Sequence, residues 1–265
     1  MVDTGTRRVH LLAGPEVSIS TVRRPIPDGS KRLVALLALD PRPADRRFLA
    51  GALWPDTDDA HAAGCLRTAL WRLRQAGLDL FIVDKATVRL RPDIVVDVHE
   101  VLAWASRVID GCMRPSDLDA PQRRADALDL LPGWYDEWVA PHRERLRQRM
   151  LHALDGVSAA LSGAGRHADA VDAAQLSVSC DPLRESGQRA LIRAHLREGN
   201  AAEARRAFAR FAWVLERELG LLPSEELAAL AGAPSPRALA EVPSAVALAG
   251  VPSAVQLAGA PRSTS

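Results

Sequence analysis

The sequence predicts a mainly α-helical protein with a small β component: an N-terminal winged helix-turn-helix of α+β type, then an all-α, tetratricopeptide-like domain. Three observations carry this. Alternating strand patterns with turn residues are confined to about residues 7–24 and 80–96. Helical patterns fill the space between them. From Asp97 onward strand signals vanish, helical patterns continue, and a 34-residue internal repeat emerges.

Val9, Leu11 and Val17, Ile19 alternate around a Gly14-Pro15 turn, which predicts short strands. After Pro25 and Pro27, Ser30 stands as the N-cap of an apolar helix over Lys31–Leu39, ended by Pro41 and Pro43. A second helix is predicted from about Ala44 to Leu53, with Phe48, Leu49, Ala52 and Leu53 as its apolar stripe. Asp56, Asp58 and Asp59 then offer negative charge where a helix dipole favours it, at the start of a third helix from about Ala60 to Gln75. Spacing puts Ala63, Leu66, Leu70 and Leu73 on one face of that helix and Arg67, Thr68, Trp71, Arg72 and Gln75 on the other. Gly77 is placed to end it. A hairpin follows, with Leu80–Val83 and Thr87–Leu90 flanking Asp84-Lys85-Ala86, and Ile94–Val96 is expected to pair with one of these strands.

Further helices are predicted over Val98–Ile109, Asp117–Leu130, Glu137–Leu161, His167–Ser179, Leu183–Glu198, Ala201–Leu219 and Ser224–Leu230. Gly165, Ala168 and Ala170 recur as Gly199, Ala202 and Ala204, an offset of 34 residues that also pairs Ala173 with Ala207. That is the period of the tetratricopeptide helix pair, whose small residues let two helices approach closely. From Gly232 the composition turns to Ala, Pro, Ser, Val and Gly, and VPSAVALAG is nearly duplicated in the next nine residues. A tail without charge or aromatic residues in its repeat is expected to be flexible. The expected division is 1–96, 97–231 and 232–265.

Residues 1–96 hold 15 Lys and Arg against 11 Asp and Glu; the remainder holds 19 against 22. A mildly basic N-terminal part fits a nucleic-acid partner. Cys65, Cys112 and Cys180 lie far apart, with no zinc-ligand spacing, so neither metal nor disulfide framework is expected, and no cofactor. No signal-peptide core and no membrane-length apolar run occurs, which predicts a cytoplasmic, nucleoid-associated protein without a membrane partner. The phosphate-loop, nucleophile-elbow and zinc-protease motifs are missing, so no enzyme is expected.

Strands, three helices and a hairpin form the element order of a winged helix, in which the third helix enters a major groove of double-stranded DNA. A helix there needs an apolar back and a polar front. Arg67, Thr68, Trp71 and Arg72 are the candidates for reading bases, since Arg pairs bidentately with guanine and Thr meets a base edge or a thymine methyl. Lys85, Thr87 and Arg89 at the wing, and Lys31, Arg32, Arg46, Arg47 and Arg74 around the helices, are candidates for phosphate contact.

These residues resemble a family. Lys31 through Leu39, then Leu53-Trp54-Pro55, then Leu66 through Arg74 look like the Streptomyces antibiotic regulatory protein (SARP) type of transcriptional activator, which joins an OmpR-like winged helix to a bacterial transcriptional activation domain. Leu131-Pro-Gly-Trp-Tyr-Asp-Glu-Trp138, Asp181 through Glu185 and Ala204 to Glu218 echo the second part. The resemblance covers about residues 7–230. It implies an activator that binds promoter repeats as a homodimer and contacts RNA polymerase through its helical domain. No receiver pattern precedes the winged helix, so phosphorylation control of that kind is not expected. From the residues alone two alternatives stay open: an interaction adaptor with a vestigial winged helix, and a repressor or ligand-gated regulator.

Overall fold

The computed structural model describes residues 6–119 and 129–234. Within them the chain is mainly helical, with two small sheets near the N-terminus. The first sheet has the order β3-β2-β1-β7, from β1 (Arg7–His10), β2 (Glu16–Ile19), β3 (Val22–Arg24) and β7 (Ile94–Val96). The second has the order β4-β6-β5, from β4 (Ala44–Asp45), β5 (Phe81–Val83) and β6 (Thr87–Leu90). Between β3 and β5 in the sequence come α1 (Lys31–Leu39), α2 (Arg46–Leu53) and α3 (Asp59–Gln75), with β4 between α1 and α2.

The first hairpin and α3 run within a residue or two of the spans their periodicity predicts. Three local expectations are corrected. Ile94–Val96 does not join the second hairpin; β7 pairs in parallel with β1, Arg7 opposite Ile94 and Val9 opposite Val96. Strand partners are long-range, and apolar alternation does not encode them. Ala44 and Asp45 are not helical but pair with Val88 and Thr87, so α2 starts at Arg46 with Asp45 as its cap. Ser30 closes a 3₁₀ turn over Asp28–Ser30 and makes no side-chain cap to α1; its buried hydroxyl donates instead to the Ala69 carbonyl at 3.0 Å. That bond ties the turn before α1 to the middle of α3.

Helix α1 is buried from Leu33 to Leu39 and forms the centre of the N-terminal core. Leu49 and Leu53 of α2, Leu66, Leu70 and Leu73 of α3, and Val88 and Leu90 of β6 also belong to that core. Phe48 does not. It was expected in the α2 stripe, yet it is 62% exposed, because Leu49, Ala50 and Leu53 take the inward arc of this short helix.

The rest is helical: α4 (Asp97–Ile109), α5 (Ala140–Gly163), α6 (His167–Cys180), α7 (Glu185–Glu198), α8 (Ala201–Leu219) and α9 (Glu225–Ala231). Consecutive helices from α4 to α9 pack on one another, and α5 also reaches α7. The helix expected over Asp117–Leu130 falls largely outside the described residues; its first residue ends a 3₁₀ turn, Pro115–Asp117. Ala170, Ala173, Ala204 and Ala207, the small residues of the repeat, are all buried where these helices meet. Gly165 and Gly199 sit at φ +76° and +88°, where a side chain is strained, and reverse the chain between helices. Gly156 lets α4 approach α5: a Cβ there would lie 2.9 Å from Val108 Cγ1.

The two halves share one hydrophobic core and a backbone seam. Leu131 donates its N–H to the Leu11 carbonyl at 2.9 Å, and Ala13 donates to the Asp129 carbonyl at 3.1 Å. Arg143 donates from Nε to the Leu130 carbonyl at 2.8 Å. Asp97, first residue of α4, accepts from the N–H groups of Leu11, Leu12 and Val98. Burial raises its carboxyl pKa, opposed by those three donors.

Candidate nucleic-acid interface

Helix α3 has the two faces that its spacing predicts. Leu66, Leu70 and Leu73 are buried on its back together with Ala62 and Ala69, whereas Ala63, expected there, is only half-buried. Arg67, Thr68, Trp71, Arg72, Arg74 and Gln75 are exposed on its front, Trp71 at 59%. Asp58 opens the helix by accepting the His61 N–H at 2.8 Å, and Gly77 at φ +72° follows its end. The front is therefore carried by a capped, leucine-backed helix, not by a loop.

The front is also uncommitted. Elsewhere in the chain arginines hold carboxylates: Arg147 bridges Glu144 and Asp181, and Arg184 holds Asp155 at 2.8 Å. The side chains of Arg67, Arg72 and Arg74 make no hydrogen bond or ion pair among the described residues, and the same is true of Arg47, Lys85 and Arg89. Thr68, exposed, donates its hydroxyl to the Gly64 carbonyl at 3.0 Å, which leaves its oxygen as an acceptor.

The wing is the β5–β6 hairpin, with Lys85 exposed at its tip and Thr87 and Arg89 half-buried behind it. Thr87 donates weakly to Asp84 Oδ2 at 3.4 Å. Arg46 fastens the tip to α2: its N–H donates to the Ala86 carbonyl at 2.9 Å and its guanidinium reaches the Asp84 carbonyl at 3.5 Å. Arg47, the next residue, stands exposed beside the exposed ring of Phe48.

Two further candidates, Arg32 and Lys31, are paired with carboxylates. Arg32 donates to the Leu53 carbonyl at 2.9 Å and pairs with Asp136, so it joins the N-terminal core to the helical half. Lys31 pairs with Asp28 at 2.6 Å at the 3₁₀ turn, a bond that holds the Asp28 carboxyl below its usual range.

A depression flanks α3 on each side. One, about 110 Å³, lies against α2 and is lined by Arg46, Arg47, Gly51, Asp59 and Arg67. The other, about 530 Å³, is lined by Gly29, Trp54, His61, Cys65, Thr68 and Arg72. Gly29 and His61 are not among the interface candidates read from the sequence, and Phe48 is read there only as part of the α2 apolar stripe. Phe48 had a signal: it lies one residue off the Leu49–Leu53 pair and next to Arg47. Gly29 had none, because it comes from a separate turn. Among the described residues, no group of three or more His, Cys, Asp or Glu is placed to hold a metal, and no helix is long and apolar enough to cross a membrane. Cys65, Cys112 and Cys180 are free thiols.

Residues 122–233 match the family model of the bacterial transcriptional activator domain. The chain is 28% identical over 208 residues to the regulatory protein AfsR of Streptomyces griseus, a match that covers 75% of this chain and 21% of that protein. It therefore spans about a fifth of that curated relative. Among solved structures it is similar to Mycobacterium tuberculosis EmbR, determined in complex with a low-affinity phosphopeptide, with a TM-score of 0.67 and 22% identity over 86% of this chain and 64% of that one. At that identity the likeness is one of fold.

Proposed function

We propose that this chain is a regulator of the SARP type, with a bacterial transcriptional activator domain behind an N-terminal winged helix, and that it activates transcription by binding double-stranded DNA through α3 and the β5–β6 wing. The observation that carries this reading is the unpaired arginine front of α3 on its leucine back. Arg67, Thr68, Trp71 and Arg72 read base edges in the major groove, Arg to guanine and Thr to a base edge or methyl. Arg47, Arg74, Lys85 and Arg89 neutralise phosphates and set the register, with Arg46 holding the wing in place. The functional division is 1–96 for DNA, 97–231 for contact with RNA polymerase, and 232–265 as a tail. Two copies on tandem promoter repeats, acting on the nucleoid in the cytoplasm, complete the reading, and it requires no catalytic chemistry and no cofactor.

A mobility-shift titration of the whole chain against its own upstream region tests this. Retarded complexes are expected, with affinity falling steeply between about 50 and 200 mM salt as counterions are displaced. No shift at low salt overturns the proposal and leaves the interaction adaptor. Reporter output that rises on deletion of the protein points to repression.

A further inference from the structure

Arg72 has a conformational partner that bears no charge and no side chain. Gly29 is the central residue of the 3₁₀ turn Asp28–Ser30. A Cβ built there would lie 2.7 Å from Nη1 of Arg72 and 4.0 Å from its Cζ, with no other atom that close outside its chain neighbours. The guanidinium therefore occupies the space that any side chain at position 29 would need. The neighbouring Ser30–Ala69 bond holds this turn against the backbone of α3 one helical turn before Arg72. Arg72 makes no ion pair or hydrogen bond of its own among the described residues.

We propose that Gly29 is a positioning residue: the bare backbone of the turn gives the Arg72 guanidinium a seat at the wall of the 530 Å³ groove, and so sets which base Arg72 addresses. This rests on the reading that α3 enters a major groove. Preorganisation is the physical reason. A free arginine loses rotamer freedom on binding, whereas one already seated loses less and presents its fork in a single direction. Gly29 does not lie in the left-handed region, so alanine fits the backbone. What the new methyl meets is the mobile end of Arg72, so that side chain moves and the fold does not.

The probe is a duplex enriched by the wild-type chain from a randomised DNA pool, set beside a scrambled duplex of equal length. Gly29→Ala, Arg72→Ala and the double variant complete a cycle, with thermal unfolding recorded for each. Gly29→Ala is expected to weaken binding to the enriched duplex about tenfold, as loss of one base contact does, and to leave the scrambled duplex unaffected. In the Arg72→Ala background the same change is expected to do nothing further. Wild-type affinity for Gly29→Ala, or losses that multiply in the double variant as general misfolding would make them, overturn the inference alone. A wild-type chain that enriches no sequence overturns the DNA-binding reading and this inference together.

Discussion

Both oxygens of the Asp97 carboxylate lie 3.0 Å from the backbone nitrogen of Leu11, across 86 residues of chain. One of them also accepts from Leu12 at 3.1 Å, and the other from Val98 at 2.7 Å. The end of β1 is thus held to the start of α4 at the point where Leu11 meets Leu131. Asp97→Ala strands these N–H groups in a half-buried site and is expected to cost about 2–3 kcal/mol in urea unfolding. Asp97→Asn keeps one acceptor oxygen and is expected to cost less. Equal, negligible losses for both would show that the seam is held by packing alone.

Asp117 makes a pH-dependent contribution. It is buried, Arg107 holds it at 2.7 and 3.1 Å, and the Arg114 N–H donates to it at 3.0 Å. The bond from Arg107 is the largest cause of its depressed pKa, about 2 against an ordinary 3.8. A carboxyl depressed in the folded state stabilises fully above its unfolded pKa and loses that contribution as pH falls through the folded value. About 2 kcal/mol is therefore expected to disappear between about pH 4 and pH 2. Denaturant midpoints measured across that range for the wild type and Asp117→Asn should converge at the acid end.

Two tryptophans separate stability from binding. Trp104 is fully buried and donates from Nε1 to the Asp117 carbonyl at 3.1 Å, whereas Trp71 is mostly exposed on the front of α3. Trp104→Ala is expected to cost about 3–5 kcal/mol of stability. Trp71→Ala is expected to change stability by no more than about 0.5 kcal/mol while weakening DNA binding. Calorimetry and a binding titration on both variants check this, and a Trp71→Ala protein that binds normally removes the ring from the interface.

Arg67 and Lys85 divide along specificity and charge. Arg67→Ala is expected to cost about 1–3 kcal/mol on the preferred site and to relax preference at one base pair. Lys85→Ala, at the exposed wing tip, is expected to weaken all duplexes alike and to reduce the salt slope by about one. Affinities over a salt series, on preferred and scrambled duplexes, distinguish the two.

Much of the candidate interface is legible in the sequence because α3 is a local object. Leucines three and four residues apart define its back, and that periodicity leaves Arg67, Thr68, Trp71 and Arg72 outward whatever surrounds it. The exposure of Phe48 and the bond made by Ser30 are not legible locally, because burial and capping depend on what lies opposite. Leu49 and Leu53 take the inward arc of α2, and the Ala69 carbonyl, 39 residues away, takes the Ser30 hydroxyl. Arg32 reads as one more cation near a helix start, and nothing local announces Asp136.

Side-chain periodicity and turn chemistry, which act over a few residues, were enough to place most of the strands and helices and the polar front of α3, but not β4, which the sequence assigns to a helix. Which strand accepts β7, which arginines are spent on carboxylates and which stay available, and where Gly29 opens a seat for Arg72 were settled only by the folded chain. Those relations join residues tens of positions apart, and packing and complementary charge bring them together without leaving a periodic trace.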